Sequence, residues 1–589
     1  MPYLPGRFIN LALQLRVKNW QSYIPIVPTL ARYRRDDLSH DIVAGIVLGV
    51  ITVPQAIAYA FLAGLPAEAG LYASLVPMVI YAVFGSSKHL VVGPVAITAL
   101  MVAAAVGEYA PRYDQSYLGV TTVLCLQAGI FLWLLRLSQM GGLVNLLSHP
   151  VITGFVNAAA LLIIISQLPA LTGIGPGDAL DPYHQLLNLA RRVDELNPAV
   201  VAVGIGCLLG LWLVRRYSVA LLRLLRADVE DDHPVRRTGP MVVAALAAVV
   251  VAVWNLDAEL GVAVVGQIPS GLPELTRPPF HWQLWTDVAP VSAMIAVVSY
   301  VESYSIGTTL ATRERTRVNS HQELIALGAA NIGAAFSGAY PVAGSFSRSS
   351  VNYQTGARTQ VSALVCMVVI VLTLLFFTPL FARLPHAALA AIVMASVVGI
   401  VDLMSMRRHW RIHKEDSLTE FATLATVLAF GVETGLITGV ALSIAFFIRT
   451  SSRPHIAIVG RIPHTEHFRS ARRYDVETFP HVAAIRIDEN VYFGNANQVE
   501  SKLLKIIQRR PGTRHVLLVM SAVNLVDVSG LEMLYRLNDN LAAMGIKLHL
   551  SEVKGPVMEH FEATDFTMRL TGSVFFTTDQ AMRDLAERT

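Results

Sequence analysis

Val91-Val92-Gly93-Pro94-Val95-Ala96-Ile97-Thr98 and Tyr340-Pro341-Val342-Ala343-Gly344-Ser345-Phe346-Ser347-Arg348 are the two stretches on which the fold turns. Both lie in strongly apolar surroundings, and both are interrupted by glycine and proline. Proline is tolerated in the first turn of a helix because its missing N–H would have no partner there. Inside a bilayer an unpaired backbone group costs several kcal/mol, so a broken helix occurs only where it lines a cavity or is buried in protein. Two short helices starting near mid-membrane would aim free N–H groups and positive dipole ends at one point. That arrangement suits an anion, and breaks in matching halves of a chain point to a transport site. Two ordinary spanning helices kinked by Gly and Pro are the alternative, and Ser345, Ser347 and Arg348 in the second break favour the paired site.

Outward from these breaks the chain is apolar. Of its 589 residues 54% are hydrophobic and 15% charged, and the mean hydropathy is +0.52. Soluble domains average roughly 25% charged, so the composition excludes an ordinary soluble protein. The charge is also unevenly spread. Residues 451–589 hold 17 basic and 16 acidic residues of the 46 and 42 in the whole chain, a soluble density that leaves residues 1–450 depleted. Stretches such as Leu161–Ile165, Val200–Val214, Met241–Val253, Val361–Phe377 and Ala422–Phe447 carry few or no charges. Counted against the ~20 residues a spanning helix needs, they and their like give about twelve segments besides the two broken ones near 91–107 and 343–356. Residues 1–40, with Arg7, Arg16, Lys18, Arg32, Arg34 and Arg35, are too polar for a cleavable signal peptide. Cys125, Cys207 and Cys366 fall inside apolar stretches without metal or disulfide spacing and read as small buried residues.

Basic loops set the topology. Arg215, Arg216, Arg223, Arg226, Arg236 and Arg237 cluster in one, Arg313, Arg315 and Arg317 in a second, and Arg407, Arg408, Arg411 and Lys414 in a third. The alternate loops Thr172–Asn197 and Asn255–Trp285 have fewer positives. By the positive-inside rule the basic loops, the N-terminus and the tail from about Arg449 face the cytoplasm, which requires an even number of spans. The acidic run Glu230-Asp231-Asp232 reads as part of a solvated loop. An internal echo suggests two repeats: Asp41 opens an apolar run with Gln55 inside it, and Asp287 opens another containing Glu302.

These residues carry a resemblance. Asp41-Ile42-Val43-Ala44-Gly45, Val53-Pro54-Gln55-Ala56-Ile57-Ala58-Tyr59-Ala60, Ala63-Gly64-Leu65-Pro66 and Gly70-Leu71-Tyr72 resemble the signature of the sulfate permease (SulP) family of anion transporters. So do Gly85-Ser86-Ser87-Lys88-His89 before Val92-Gly93-Pro94, and Gln322-Glu323-Leu324-Ile325-Ala326-Leu327-Gly328 before Tyr340-Pro341. The resemblance runs from about residue 36 through the tail. At Ala67-Glu68 the family usually has a second proline and no acid, and this departure is expected to sit in a loop.

The resemblance implies an α-helical polytopic membrane protein of fourteen segments in 7+7 inverted repeats, with two half-helices and separate core and gate groups, followed by a small cytoplasmic α/β STAS domain. The implied layout is residues 1–40 as a cytoplasmic N-terminal segment, 41–450 as the transmembrane transporter domain, 451–470 as a linker and 471–589 as the STAS domain. By position, Gln55, Tyr59, Val95, Ala96, Ser345, Phe346 and Ser347 would line the anion site, with Arg348 adding positive potential. Packing for Tyr59, and an ion pair with Glu302 for Arg348, are the structural alternatives. A carboxylate inside an apolar run is a functional candidate by default, costing about 2.5–3.5 kcal/mol on insertion scales. Glu302 is therefore expected to carry a coupling proton or help coordinate Na⁺, as acidic residues at this position do in related transporters.

In the tail, Val482–Ile487, His515–Met520 and Lys547–Leu550 read as strands, and Asn497–Gln508 and Gly530–Ala543 as helices. Ser529 with Glu532 has the spacing of a capping box at a helix start. It also matches the STAS serine that can be phosphorylated. His464, Glu466 and His467 have metal-like spacing but fall in a polar linker. The tail has no catalytic triad, Walker motif or dinucleotide fingerprint, so no enzyme, cofactor, metal or nucleic-acid partner is expected.

The expected function is secondary active transport of a small anion, first proton-coupled sulfate uptake by an elevator-like motion. Na⁺-coupled bicarbonate and proton-coupled dicarboxylate transport are the alternatives. A nucleobase permease shares the repeat pattern but would have no such tail. A membrane-anchored STAS scaffold or sensor without transport is the reading from another class. A homodimer in the cell (inner) membrane with both termini cytoplasmic, and a cytoplasmic protein partner for the tail, complete the expectations.

Overall fold

The computed structural model describes residues 24–138, 148–175, 182–224, 239–399 and 401–587. Arg7, Arg16 and Lys18, the acidic run Glu230–Asp232 and the basic residues Arg226, Arg236 and Arg237 lie outside them. The chain divides between Val440 and Ala441 into two compact units.

Fourteen segments follow in order, numbered here without the short helices between them. They are α1 (Arg35–Leu62), α2 (Ala67–Phe84), α3 (Ala96–Arg112), α4 (Tyr117–Leu137), α5 (His149–Thr172), α6 (Pro198–Leu224) and α7 (Gly239–Val253). The second seven are α8 (Trp282–Arg313), α9 (Ser320–Phe336), α10 (Phe346–Gln354), α11 (Val361–Phe381), α12 (His386–Val398), α13 (Lys414–Phe430) and α14 (Val432–Ser451). Among the described residues nine helices are long and apolar enough to cross a membrane. The two broken stretches instead give α3, of 17 residues, and α10, of nine.

Helix packing repeats with a period of seven segments. The pairing of α1 with α11 recurs as α8 with α4, and that of α5 with α13 recurs as α12 with α6. The helices thus sort into one group around α1–α4 and α8–α11 and another around α5, α6, α12 and α13. Small residues allow the closest crossing. A Cβ on Gly45 would stand 2.5 Å from the Val365 Cβ, and one on Gly49 2.6 Å from the Val369 Cβ, so α1 and α11 meet backbone against side chain. All three cysteines are buried and free. Glu68 is in the first turn of α2, not in a loop, and there its charge favours the helix dipole.

The second unit is an α/β sandwich. Its sheet has the order β4-β3-β5-β6-β7-β8, with β3 (Ile456–Arg461), β4 (Phe468–Ser470), β5 (Val482–Ile487), β6 (His515–Val519), β7 (Lys547–Ser551) and β8 (Val574–Phe575). β3 is antiparallel to both β4 and β5, and β5 to β8 run parallel. Helices α15 (Ala496–Gln508) and α16 (Val528–Ala543) cover one apolar face, and the last helix, α18 (Thr578–Glu587), covers the other; α17 (Gly555–Glu562) joins the first core. Residues 451–470, expected as a linker, instead supply β3 and β4, because Ile456, Ala457 and Ile458 pair with β5 and Val459 pairs with Ser470 of β4. The expected capping box is also displaced. Helix α16 begins at Val528, and its cap is Asp527, whose carboxylate accepts from Gly530 N at 2.8 Å and from Phe493 N at 2.9 Å. An ionised oxygen is the stronger acceptor for these amides, and Ser529 is left inside the first turn.

Candidate anion site

The two breaks meet. Val92 pairs with Gly344 and Gly93 with Ala343 in a two-stranded antiparallel ladder, β1 (Val92–Gly93) with β2 (Ala343–Gly344), and Ser345 N donates to Val91 O at 3.0 Å. Each strand runs straight into a half-helix, so the N-termini of α3 and α10 are brought together. The first amides of a helix have no partner within it. Val95, the cap of α3, offers no side-chain acceptor, whereas Ser345 Oγ accepts from Arg348 N at 3.5 Å at the start of α10. Val95, Ala96 and Ser345 are buried, while Phe346 and Ser347 are exposed, with the Ser347 hydroxyl 3.3 Å from that of Ser345.

Arg348 projects into the crossing and is fully buried. Its Nη2 donates to Pro94 O at 2.5 Å, but among the described residues Nε and Nη1 have no partner. Gly93 makes room for it, since a Cβ there would stand 3.0 Å from Nη1. The alternative for Arg348, an ion pair with Glu302, is not formed: among the described residues no Arg348 nitrogen lies within 4.0 Å of that carboxylate, and Glu302 Oε2 is buried and unpartnered. The two charges remain within Coulombic range, as do the Tyr59 and Tyr340 hydroxyls. Gln55 Oε1, from α1, is likewise buried without a partner. A buried unmade hydrogen bond costs about 1–3 kcal/mol, more for a charged group, so this concentration of unsatisfied polar atoms marks a place built to receive something.

Tyr59 is more than a packed ring. Ser396 Oγ donates its single proton to Val393 O at 2.7 Å, so the Tyr59 hydroxyl, 3.2 Å away, donates to Ser396. That bond joins α1 of one helix group to α12 of the other. Sequence reasoning passed over Ser396 and gave no role to Tyr340 of the second break, which is fully buried with its hydroxyl unpartnered among the described residues.

Other polar side chains hold the broken backbone. Asn331 of α9 accepts from Val342 N at 3.0 Å and donates to Val342 O at 3.2 Å, and Ser303 Oγ accepts from Gly344 N at 2.7 Å. Buried Glu323 accepts from Tyr81 Oη at 2.8 Å and from Ser86 N and Oγ at 2.9 and 2.7 Å, which fixes the approach to β1. The echo between Asp41 and Asp287 becomes a crossed pair of clamps. Asp41 of α1 accepts from Arg358 N, Thr359 N and Thr359 Oγ1 at 2.7, 3.1 and 2.5 Å, beyond the end of α10. Asp287 of α8 accepts from Tyr113 Oη and lies 3.5 Å from Arg112 Nη2, at the end of α3. The first helix of each repeat therefore secures the half-helix of the other.

The same residues carry a family signature. The Sulfate permease family profile matches residues 38–423, and a STAS domain profile matches residues 473–581. The chain belongs to the sulfate permease family. Among its relatives is "Probable sulfate transporter 4.2" of Arabidopsis thaliana, 34% identical over 561 residues, covering 93% of this chain and 78% of the relative. "Probable sulfate transporter MT1781" of Mycobacterium tuberculosis (strain CDC 1551 / Oshkosh) is 30% identical over 574 residues, covering 96% and 98%. In fold, the chain superposes on the murine Solute Carrier 26 family member A9 anion transporter in its inward-facing state with TM-score 0.86, 22% identity and complete coverage of both chains. The transmembrane domain of a cyanobacterial bicarbonate transporter, BicA, matches 69% of this chain and 98% of its own with TM-score 0.59 and 22% identity. The chain is thus a multi-pass anion transporter of this family, with a STAS domain after its membrane helices, and not an enzyme.

Proposed function

We propose that this sulfate permease family member takes up sulfate together with protons, by an elevator-like movement of the α1–α4 and α8–α11 group against the other helices. The observation that carries the reading is the fully buried Arg348, with Nε and Nη1 unpartnered between two helix N-termini and with Glu302 unpaired beside it. Sulfate bound at the amides of Val95 and Ala96 and those of Phe346 and Ser347, beside the Ser345 hydroxyl, would take both free guanidinium positions, with Gln55 and Tyr59 closing the site from α1. The bound anion would cancel the guanidinium's field at Glu302 and so favour a proton on that carboxylate, coupling the two loads. Release of the anion restores the field and expels the proton. The names of the relatives support sulfate. The bicarbonate transporter among the fold neighbours supports a second reading, bicarbonate with Na⁺ held at Glu302. A proton-coupled dicarboxylate is a third possible load.

The basic loops favour a cell (inner) membrane orientation with both termini cytoplasmic, and we place the protein there as a homodimer. The layout proposed is a membrane transporter through residue 450 and a cytoplasmic STAS domain open to a protein partner. Phosphorylation of Ser529 is a possible control, although Asp527 already occupies the amides a phosphate would seek. The test is sulfate accumulation in proteoliposomes with and without an inward proton gradient, for wild type and Glu302→Gln. Accumulation that follows the gradient in wild type and disappears in the variant is expected. Equal gradient-driven accumulation in both would end the coupling role of Glu302.

A further inference from the structure

Helix α12 is apolar between His386 and Ser396, and Ser396 is the one hydroxyl it carries. A serine in such a helix can satisfy itself by donating to a carbonyl about one turn back. Ser396 Oγ does so, to Val393 O at 2.7 Å. Its proton is spent within its own helix, and what it offers its surroundings is an acceptor. The Tyr59 hydroxyl of α1, 3.2 Å away, fills it. This bond crosses from one helix group to the other. Leu389, Ile392 and Val393 of α12 are buried and apolar, and further along α1 the Phe61 ring meets the His386 ring at 4.6 Å between centroids. Apolar contacts of that kind are non-directional and can slide past one another, whereas a hydrogen bond fixes a register.

Tyr59 has a second claimant. Its hydroxyl lies within Coulombic range of the buried Arg348 guanidinium at the crossing of α3 and α10. A phenol has a single proton to donate. An oxyanion that accepts it leaves the Tyr59 and Ser396 oxygens facing each other with no hydrogen between them, because the serine proton is held at Val393 O. Turning that proton toward Tyr59 instead gives up the bond to Val393. One hydrogen bond is lost on either path.

We propose that the Tyr59–Ser396 bond is a latch: it joins the two helix groups while the crossing is empty, and the anion releases it by taking the Tyr59 proton. Ser396 is then a positioning residue that acts through Tyr59. The inference rests on reading the crossing as the anion site and transport as movement of one helix group against the other. Ser396 stays with α12 while Tyr59 travels with α1, so the bond forms at one end of that movement only. An empty carrier settles there and stays until an anion arrives. A Tyr59 hydroxyl that is satisfied by Ser396 and never exchanges it for an anion is the structural alternative.

Equilibrium binding of radiolabelled sulfate to the purified full-length protein tests the latch, with wild type, Ser396→Ala, Tyr59→Phe, the double variant and Arg348→Met. Deleting the Ser396 oxygen removes a bond that the anion otherwise has to break. Sulfate should therefore bind Ser396→Ala about two- to tenfold more tightly than wild type, the worth of one neutral hydrogen bond. Misfolding cannot produce a gain in affinity. Ser396→Cys, close in size but a weak acceptor, should move in the same direction. Tyr59→Phe loses the stronger, charge-assisted bond to the anion and should bind more weakly. In its background Ser396→Ala should change the affinity by less than about twofold, since the two residues act as one unit. Unchanged or weaker binding in Ser396→Ala, or the same gain with and without the Tyr59 hydroxyl, would overturn the latch. No binding by wild type, or binding by Arg348→Met equal to wild type, would overturn the anion-site reading and the latch with it. A weakened Arg348→Met beside an unmoved Ser396→Ala would defeat the latch alone.

Discussion

Arg348 is the residue whose replacement separates a functional charge from a structural one. Burying an ion costs several kcal/mol unless good partners compensate, and replacing such an ion by an apolar residue of similar volume is often neutral or stabilising. Here compensation is partial: one bond to Pro94 O, with Nε and Nη1 free. Arg348→Met gives up that bond, about 1–3 kcal/mol for the orphaned carbonyl, and removes a larger desolvation penalty. The folded protein should therefore be no less stable, and its melting temperature in detergent should hold or rise. Anion binding responds in the opposite direction. Two charge-assisted hydrogen bonds at about 1.5–3 kcal/mol each give about 3–6 kcal/mol, which is about two to four orders of magnitude in affinity. Arg348→Lys keeps the charge but loses the planar fork, so its loss should be smaller. The assay is the concentration dependence of sulfate uptake into proteoliposomes, read beside the melting temperature of the same preparations. A stable Arg348→Met with KM within threefold of wild type would refute the assignment. A strongly destabilised variant would show that the guanidinium serves the fold.

Three further outcomes follow from the geometry. Gly93→Ala places a methyl group 3.0 Å from Arg348 Nη1, so KM for the anion should rise several-fold without loss of folded protein, measured in the same uptake assay. Asp527→Ala removes the cap of α16 and its bond to Phe493 N, and should destabilise the tail by about 0.5–2 kcal/mol while Ser529→Ala costs little; denaturant unfolding followed through the tail checks both. Partial burial alone would raise the pKa of Asp488, but hydrogen bonds from Arg486 and His455 outweigh it and hold the carboxyl below its ordinary value. A depressed folded-state pKa contributes stability that is present above the unfolded value near 4 and is lost as pH falls through the folded one. Asp488→Asn should therefore unfold with a shallower dependence on pH in the acid range than wild type, by thermal melts between pH 3 and 6.

What was legible in the sequence, and what was not, follows from the range of each interaction. The breaks at Gly93-Pro94 and Gly344-Ser345 announce themselves locally, because glycine and proline disrupt a helix wherever they occur. The pairing of Val92 with Gly344 does not, since a two-residue strand has no periodicity to read. Asp41 and Asp287 were visible as an echo, but their partners, Thr359 and Tyr113, belong to the opposite repeat and only the fold brings them near. The choice for Arg348 between Glu302 and the anion could not be made along the chain, because both alternatives need the same residues at the same depth. In the tail, Ile456–Val459 is a legible apolar strand, but the charged hairpin from Arg461 to Arg473 made the whole segment read as a linker. Ser529 matched a capping pattern that Asp527, two residues earlier, fulfils with a better acceptor.

In the proposed transport cycle the crossing of α3 and α10 passes a small anion through the membrane. The most direct measurement is uptake by the reconstituted wild-type protein of sulfate, bicarbonate, fumarate, succinate, chloride and nitrate, each with an inward proton gradient, an inward Na⁺ gradient or neither. Concentrative sulfate uptake under the proton gradient alone is the expected result. Absence of substrate-dependent flux for every anion under every gradient would contradict it, and would leave a membrane-anchored scaffold for the STAS domain in its place.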